Sequence, residues 1–136
     1  MKASEFINVV AFSKVCDAAE NENYSTSLEY AYKRIYFFIP RLYCVDGFSI
    51  SVQVNQGNYC ASENGGHEFG FEYKLVEWGY PSEPIDGEKF NAEDPEDTTD
   101  TVGMYVEVEL IEELCEQHGG FDYLRTLKEY SKKHQQ

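Results

Sequence analysis

Positive charge is scarce in this 136-residue chain, in which eleven Lys and Arg stand against 25 Asp and Glu for a formal net charge of −14. From Glu63 to Glu116 the scarcity is nearly complete, because Lys74 and Lys89 are the only two such cations in a stretch that holds 17 of the acids. Phosphate backbones are bound through Lys and Arg, whose charge displaces condensed counterions, so direct nucleic-acid binding is excluded. Long apolar runs are missing as well. No stretch reaches the roughly 18 residues of a membrane-spanning helix, and the first residues lack a basic segment leading into an apolar core and a cleavage site. The expectation is a soluble, cytoplasmic protein with no membrane partner.

Metal-binding and catalytic spacings are absent too. Cys16, Cys44, Cys60 and Cys115 are scattered without a C-x-x-C pair, which fits neither a zinc site nor a redox motif, and their expected role is that of small buried hydrophobes. No H-E-x-x-H frame surrounds a histidine. His67 follows two glycines and is expected in an exposed turn, whereas His118 is placed to act as a cation at a helix C-terminus. Glu68 and Glu72 share one strand face without forming a distinctive acid–base pair. In the cluster around Asp94, setting that residue first in a calcium loop puts Glu96, Thr98 and Asp100 at positions 3, 5 and 7. The frame then fails, with Thr99 where glycine is needed and Tyr105 where a bidentate acid is needed. No catalytic residue, metal ligand or cofactor is assigned, and the chain is expected not to be an enzyme. A small carboxylate-dependent or metal-dependent enzyme stays as the alternative.

What the chain does contain is a folding composition. It is 42% hydrophobic and 15% aromatic, with 11 Tyr and 9 Phe, and disordered chains lack those residues. One domain over residues 1–136 is expected, with a mainly helical part at 1–40, a β-rich part at 41–106 and C-terminal helices at 107–136. Ser4 to Ala19 reads as a helix capped by Ser4, and a second helix begins near Ser25 or Ser27; Ile35 to Ile39 reads either as its end or as a buried strand, closed in both cases by Pro40. Asp46-Gly47 between apolar-rich runs predicts a hairpin with a two-residue turn and positive φ at both turn positions. After it Phe48, Ile50, Val52 and Val54 alternate with polar residues as a half-buried strand. Turns at Asn55 to Asn58 and Glu63 to Gly66 flank a short strand from Tyr59 to Ala61. Phe69, Phe71, Tyr73 and Leu75 alternate in the same way as the strand after Asp46-Gly47. Tyr80 to Asp100, with three of the four prolines, predicts a long surface loop broken by a short strand near Phe90. Thr101 to Val106 reads as a last strand, Glu107 to His118 as a helix stopped by Gly119-Gly120, and Phe121 to Lys133 as a helix with Leu124, Leu127 and Tyr130 inward. The fold class is α+β, an antiparallel sheet of about four to six strands packed by N-terminal and C-terminal helices.

The candidate site is a surface. Glu93, Asp94, Glu96, Asp97 and Asp100 crowd the long loop, and Glu109, Glu112, Glu113 and Glu116 fall at i, i+3, i+4 and i+7 along one helix face. A field of one sign speeds encounter with a basic partner, and solubility alone does not require the acids to be segregated. The expected partner is a basic protein or complex that itself holds DNA or RNA. A structural (virion) or regulatory interaction protein, a homodimer whose interface is formed by exposed aromatics, is a further reading.

Ile50-Ser51-Val52-Gln53, Asn58-Tyr59-Cys60, Tyr80-Pro81-Ser82, Ala92-Glu93-Asp94-Pro95-Glu96, Thr101-Val102, Tyr105-Val106 and His118-Gly119-Gly120 resemble the corresponding stretches of small uncharacterised acidic proteins from bacteriophage and prophage genomes. The resemblance covers roughly Ser49 to Phe121 and carries no active site. It implies a phage-encoded inhibitor of host defence, of which anti-CRISPR proteins are one kind, with a CRISPR-Cas effector as the implied partner in the host cytoplasm.

Overall fold

The computed structural model describes residues 1–11, 38–54, 61–62 and 73–134, with 61–62 and 133–134 as backbone only. The expected helical stretch from Phe12 to Ala19, the second helix, the turns at Asn55 to Asn58 and Glu63 to Gly66, the strand residues Phe69 and Phe71, and Cys16, Cys60, His67, Glu68 and Glu72 lie outside those residues. The α+β class holds. The strands are β1 (Leu42–Tyr43), β2 (Ser49–Gln53), β3 (Ala61–Ser62), β4 (Tyr73–Gly79) and β5 (Val102–Glu107), and every pairing is antiparallel. Residues 3–11 form α1, Val108–Gln117 form α2 and Tyr123–His134 form α3.

β4 is the hub of the sheet. β5 runs along one of its edges, and β2 and β3 share the other, β2 beside Glu77 to Gly79 and β3 beside Tyr73 to Leu75. Register fixes which side chains share a face. Leu42 lies opposite Ile50, Val52 opposite Trp78 and Val76 opposite Val106, so with Phe48 and Val54 they make one apolar surface that is almost wholly buried. α2 supplies Val108, Ile111, Leu114 and Cys115 to this core, and α1 supplies Ala3, Phe6, Ile7 and Ala11 at helical spacing.

Several local expectations are corrected. The β1–β2 turn has three residues, Val45 to Gly47, because Cys44 N–H donates to Phe48 O at 2.8 Å and Gly47 N–H to Cys44 O at 3.0 Å. Gly47 alone takes positive φ, at 99°, the arrangement of a three-residue loop with a bulge. Asp46 stays out of the left-handed region, and its carboxylate accepts Phe48 N–H at 2.9 Å. At the start of α1, Ser4 is not the cap: Phe6 N–H already bonds Lys2 O, and the Ser4 N–H and hydroxyl both donate to Glu112 of α2. A carboxylate from a neighbouring helix thus meets one orphan N–H and the positive end of α1. Asn8 ties the same helix to β4, accepting Tyr73 N–H at 2.7 Å.

The outer edge of β1 is closed by the chain that follows α2. Val45 N–H donates to Gly120 O, Asp46 N–H to His118 O and Asp122 N–H to Tyr43 O, at 2.8 to 3.1 Å. Tyr43 N–H finds Thr126 Oγ1 at 3.0 Å. That last bond sets the face of α3. Thr126 is fully buried, whereas Leu124 is 75% exposed and Leu127 also points outward, contrary to the inward placement expected of both. Satisfying an edge-strand amide has outweighed burying a leucine.

The long loop is ordered by bonds to its neighbours. Trp78 Nε1 donates to Phe90 O at 2.7 Å, Ile85 N–H to the buried Thr98 hydroxyl at 3.0 Å, and Glu93 N–H to Val102 O at 2.8 Å. A single bridge from Ala92 to Gly103 stands where a short strand near Phe90 was expected, and Thr98–Asp100 form a 3-10 turn. Between Val76–Val106 and Trp78–Gly103 the register slips by one, so Met104 and Tyr105 both face Glu77. Tyr105 takes φ of 51° in this bulge.

Two substitutions probe this packing. A Cβ at Gly103 would lie 2.0 Å from Trp78 Nε1, so Gly103→Ala is expected to lower unfolding stability by at least about 1 to 3 kcal/mol, measured by urea denaturation. Thr126→Val keeps the shape but strands the Tyr43 N–H, at a cost of about 1 to 3 kcal/mol in the same measurement.

Candidate functional site

The nine acids marked from the sequence divide by position. Glu93, Asp94, Glu96, Asp97 and Asp100 are all exposed beside the start of β5. Two of them shape the loop, since Asp94 Oδ1 accepts Glu96 N–H at 3.2 Å and Asp97 Oδ1 bonds the Thr99 hydroxyl at 3.3 Å. Glu109, Glu113 and Glu116 are exposed on α2. Glu112 is half-buried against Ser4 and belongs to the α1–α2 contact. Loop and helix do not form one cluster at their nearest sequence points, because β5 carries the chain roughly 20 Å from Thr101 to the first turn of α2 at ~3.3 Å per residue. The return of α2 then brings Glu116 back toward the end of the sheet where the loop begins, since the following His118 meets the β1–β2 turn.

Among the described residues none of the eight exposed acids has a cationic partner. The cations near the sheet are engaged elsewhere. Arg41 donates to the Ser49 hydroxyl and carbonyl and to Tyr80 O, Arg125 sits 5.0 Å over the Tyr43 ring, and Lys89 lies 5.9 Å from the Phe90 ring centre. The loop carboxylates do not converge on a cation position among the described residues.

A second constellation was not foreseen from the sequence. His118 Nδ1 lies 2.7 Å from Asp46 Oδ2, and its ring stacks on Phe48 with centroids 4.0 Å apart and planes 10° apart. Glu83 completes a trio in which one ligand atom from each residue lies within 4.8 Å of the others. Three separate segments build it. Asp46 is at the centre of the three-residue turn. His118 ends α2, whose last carbonyls are met by Gly119 N–H to Glu116 O and Gly120 N–H to Cys115 O, the paired bonds of a Schellman cap. Glu83 follows Ser82, whose N–H donates to Ser49 O at 2.8 Å while its hydroxyl accepts Ser49 N–H at 2.9 Å. The Phe48 amide first, and then His118, hold the Asp46 carboxyl below its ordinary value. The separate readings of His118 as a helix-end cation and Asp46-Gly47 as a turn contained no signal that joined them.

Beneath this trio, Cys44 and Cys115 are both buried free thiols in hydrogen-bond contact with one another. That bond and burial push the Cys115 thiol well above its usual value, while the same bond, opposed by burial, holds the Cys44 thiol below its own; both side chains are buried, as expected of small hydrophobes. No helix among the described residues is long and apolar enough to cross a membrane.

Comparison with protein-family models, with curated proteins and with solved structures finds no match to this chain.

The Asp46 interactions give a pH dependence of definite sign. A carboxyl held below its unfolded value contributes stability that is present above that value, near pH 4, and is lost as pH falls through the folded value. Wild type is therefore expected to exceed Asp46→Asn in melting temperature at pH 5 to 6, with the gap narrowing progressively toward pH 2.5. A gap independent of pH would contradict this account.

Proposed function

We propose that this protein is a non-enzymatic inhibitor that binds a basic nucleic-acid-handling protein through its acidic surface. The observation that carries the reading is the set of exposed carboxylates at Glu93, Asp94, Glu96, Asp97, Asp100, Glu109, Glu113 and Glu116, none paired with a cation among the described residues. Exposed acids are common singly; here they belong to a chain of net charge −14 in which Arg41 and Arg125 are engaged with other groups. The loop that bears five of them is tied to β5 and to its own turns, so it meets a partner with less conformational entropy to lose than a free acidic tail. A fixed negative surface competes with phosphate for Lys and Arg on the partner. The resemblance to small acidic phage proteins supports a phage-encoded inhibitor of host defence, anti-CRISPR-like, with a CRISPR-Cas effector as the partner class and the host cytoplasm as its place of action.

The test uses charge reversal at side chains that make no hydrogen bond among the described residues. Glu93→Lys, Glu96→Lys, Asp100→Lys and Glu116→Lys combined are expected to preserve the circular dichroism spectrum and melting temperature. The same variant should abolish retention of nucleic-acid-binding proteins from host lysate on the immobilised protein. Wild-type retention should fall steeply between about 0.1 and 1 M salt, where the screening length contracts from ~10 to ~3 Å, and should be displaced by added DNA or RNA. Retention that survives both the reversal and high salt overturns the reading.

A further inference from the structure

The geometry points to a divalent transition-metal site formed by Asp46, Glu83 and His118, at the junction of the β1–β2 turn, the loop after β4 and the end of α2. None of these residues belongs to the acidic surface just described, so the inference stands independently of that reading. The donor set is one imidazole and two carboxylates, which suits Zn²⁺, Co²⁺ or Ni²⁺ and leaves room for water in the remaining positions. A nitrogen and an oxygen stand 2.7 Å apart in His118 and Asp46, and the pair needs to open by less than ~1 Å to reach the roughly 3.4 Å between neighbouring ligands of a tetrahedral metal with bonds of ~2.1 Å. The full span of 4.8 Å closes by movement of the Glu83 side chain, which is exposed.

The surroundings are arranged as for a ligand cluster. The imidazole is only about one-fifth exposed and is held flat by Phe48, so little rotational freedom remains to be lost on coordination. The second oxygen of Asp46 accepts the Phe48 amide, which orients the carboxylate as outer hydrogen bonds orient metal-binding acids. Backbone bonds from Asp46 N–H to His118 O and from Ser82 N–H to Ser49 O fix the two loops against the helix end. Two carboxylates balance the charge of a divalent ion, and the cluster lies at the negative end of the α2 dipole. The net charge of the chain adds a long-range attraction for cations of any kind, while the imidazole provides selectivity for the softer ones.

Protein stripped with a chelator is titrated calorimetrically with Zn²⁺ and, in parallel, with Ca²⁺. One equivalent of Zn²⁺ is expected to bind and to raise the melting temperature. Co²⁺ is expected to give visible d–d bands without a thiolate charge-transfer band in the near ultraviolet. Glu83→Gln, at a side chain that makes no hydrogen bond among the described residues, should weaken Zn²⁺ at least tenfold while leaving the metal-free melting temperature unchanged. His118→Gln should weaken it further, and Ca²⁺ should bind at least tenfold more weakly than Zn²⁺ to the wild type. Zn²⁺ affinity unchanged in Glu83→Gln, a thiolate band with Co²⁺, or Ca²⁺ binding as tight as Zn²⁺ would each overturn the assignment, pointing instead to cysteines or to the acidic surface.

Discussion

The unpaired edge of β1 is the constraint on which much of this structure depends. A two-residue strand at the rim of a sheet exposes amides and carbonyls that must be met by something, and here the chain between His118 and Thr126 meets them in succession. Three consequences follow from that one docking. α2 must end where it does, since its capping carbonyls and the β1–β2 turn are bonded to the same few residues. α3 must turn Thr126 inward. His118 must arrive beside Asp46, although 72 positions separate them. Phe6 of α1 then packs on Phe121 and Tyr123 with ring centres 5.2 and 5.9 Å away, so the first helix is seated against the same connection.

The elements that were legible in the sequence are those whose signal is local. The alternation from Phe48 to Val54 predicted β2 and its buried face correctly, because register turns every second side chain into the core. Gly119-Gly120 predicted the end of α2 because the cap geometry is set by adjacent residues. The class, α+β with a five-stranded antiparallel sheet, follows from such elements taken together. What was not legible depends on partners far along the chain. The expected strand ended at Leu75, whereas β4 runs on to Gly79; its Val76 and Trp78 are buried in the core to which α2 and Phe90 of the long loop contribute. Leu124 and Leu127 had the spacing of a buried stripe but lost to an edge amide. Ser4 had the position of a cap but is met by a carboxylate 108 residues away. The acidic residues were readable as a charge excess, yet only the fold shows that Glu112 holds α1 while its neighbours face water. The Asp46–Glu83–His118 trio has no spacing signature at all, since each member is placed by the backbone bonds of a different loop.

Charge and architecture divide the molecule's surface between two kinds of acid. Some carboxylates serve the backbone: Asp46 at the hairpin, Asp86 at the Glu88 and Lys89 amides, Asp94 at Glu96 and Asp122 at Arg125. These replace turn and cap acceptors that a neutral chain would draw from Ser, Thr or Asn. Others, such as Glu93, Glu96, Glu113 and Glu116, have no such task in the described structure and only add to the field. Separating the two kinds matters for mutagenesis, because reversal of the first kind perturbs the scaffold and reversal of the second perturbs only what the scaffold presents.

The kink at Met104 and Tyr105 bears on how this protein coexists with copies of itself. β5 borders the sheet on the side away from β2, and an evenly pleated strand there would offer a ready ladder for an incoming chain. The extra residue opposite Glu77, the left-handed turn at Tyr105 and the bridge from Ala92 break that ladder into pieces shorter than a stable pairing needs. The sheet therefore closes off stacking growth on this flank by the shape of its own backbone. That protection is unaffected by salt, which would weaken any safeguard resting on mutual repulsion alone.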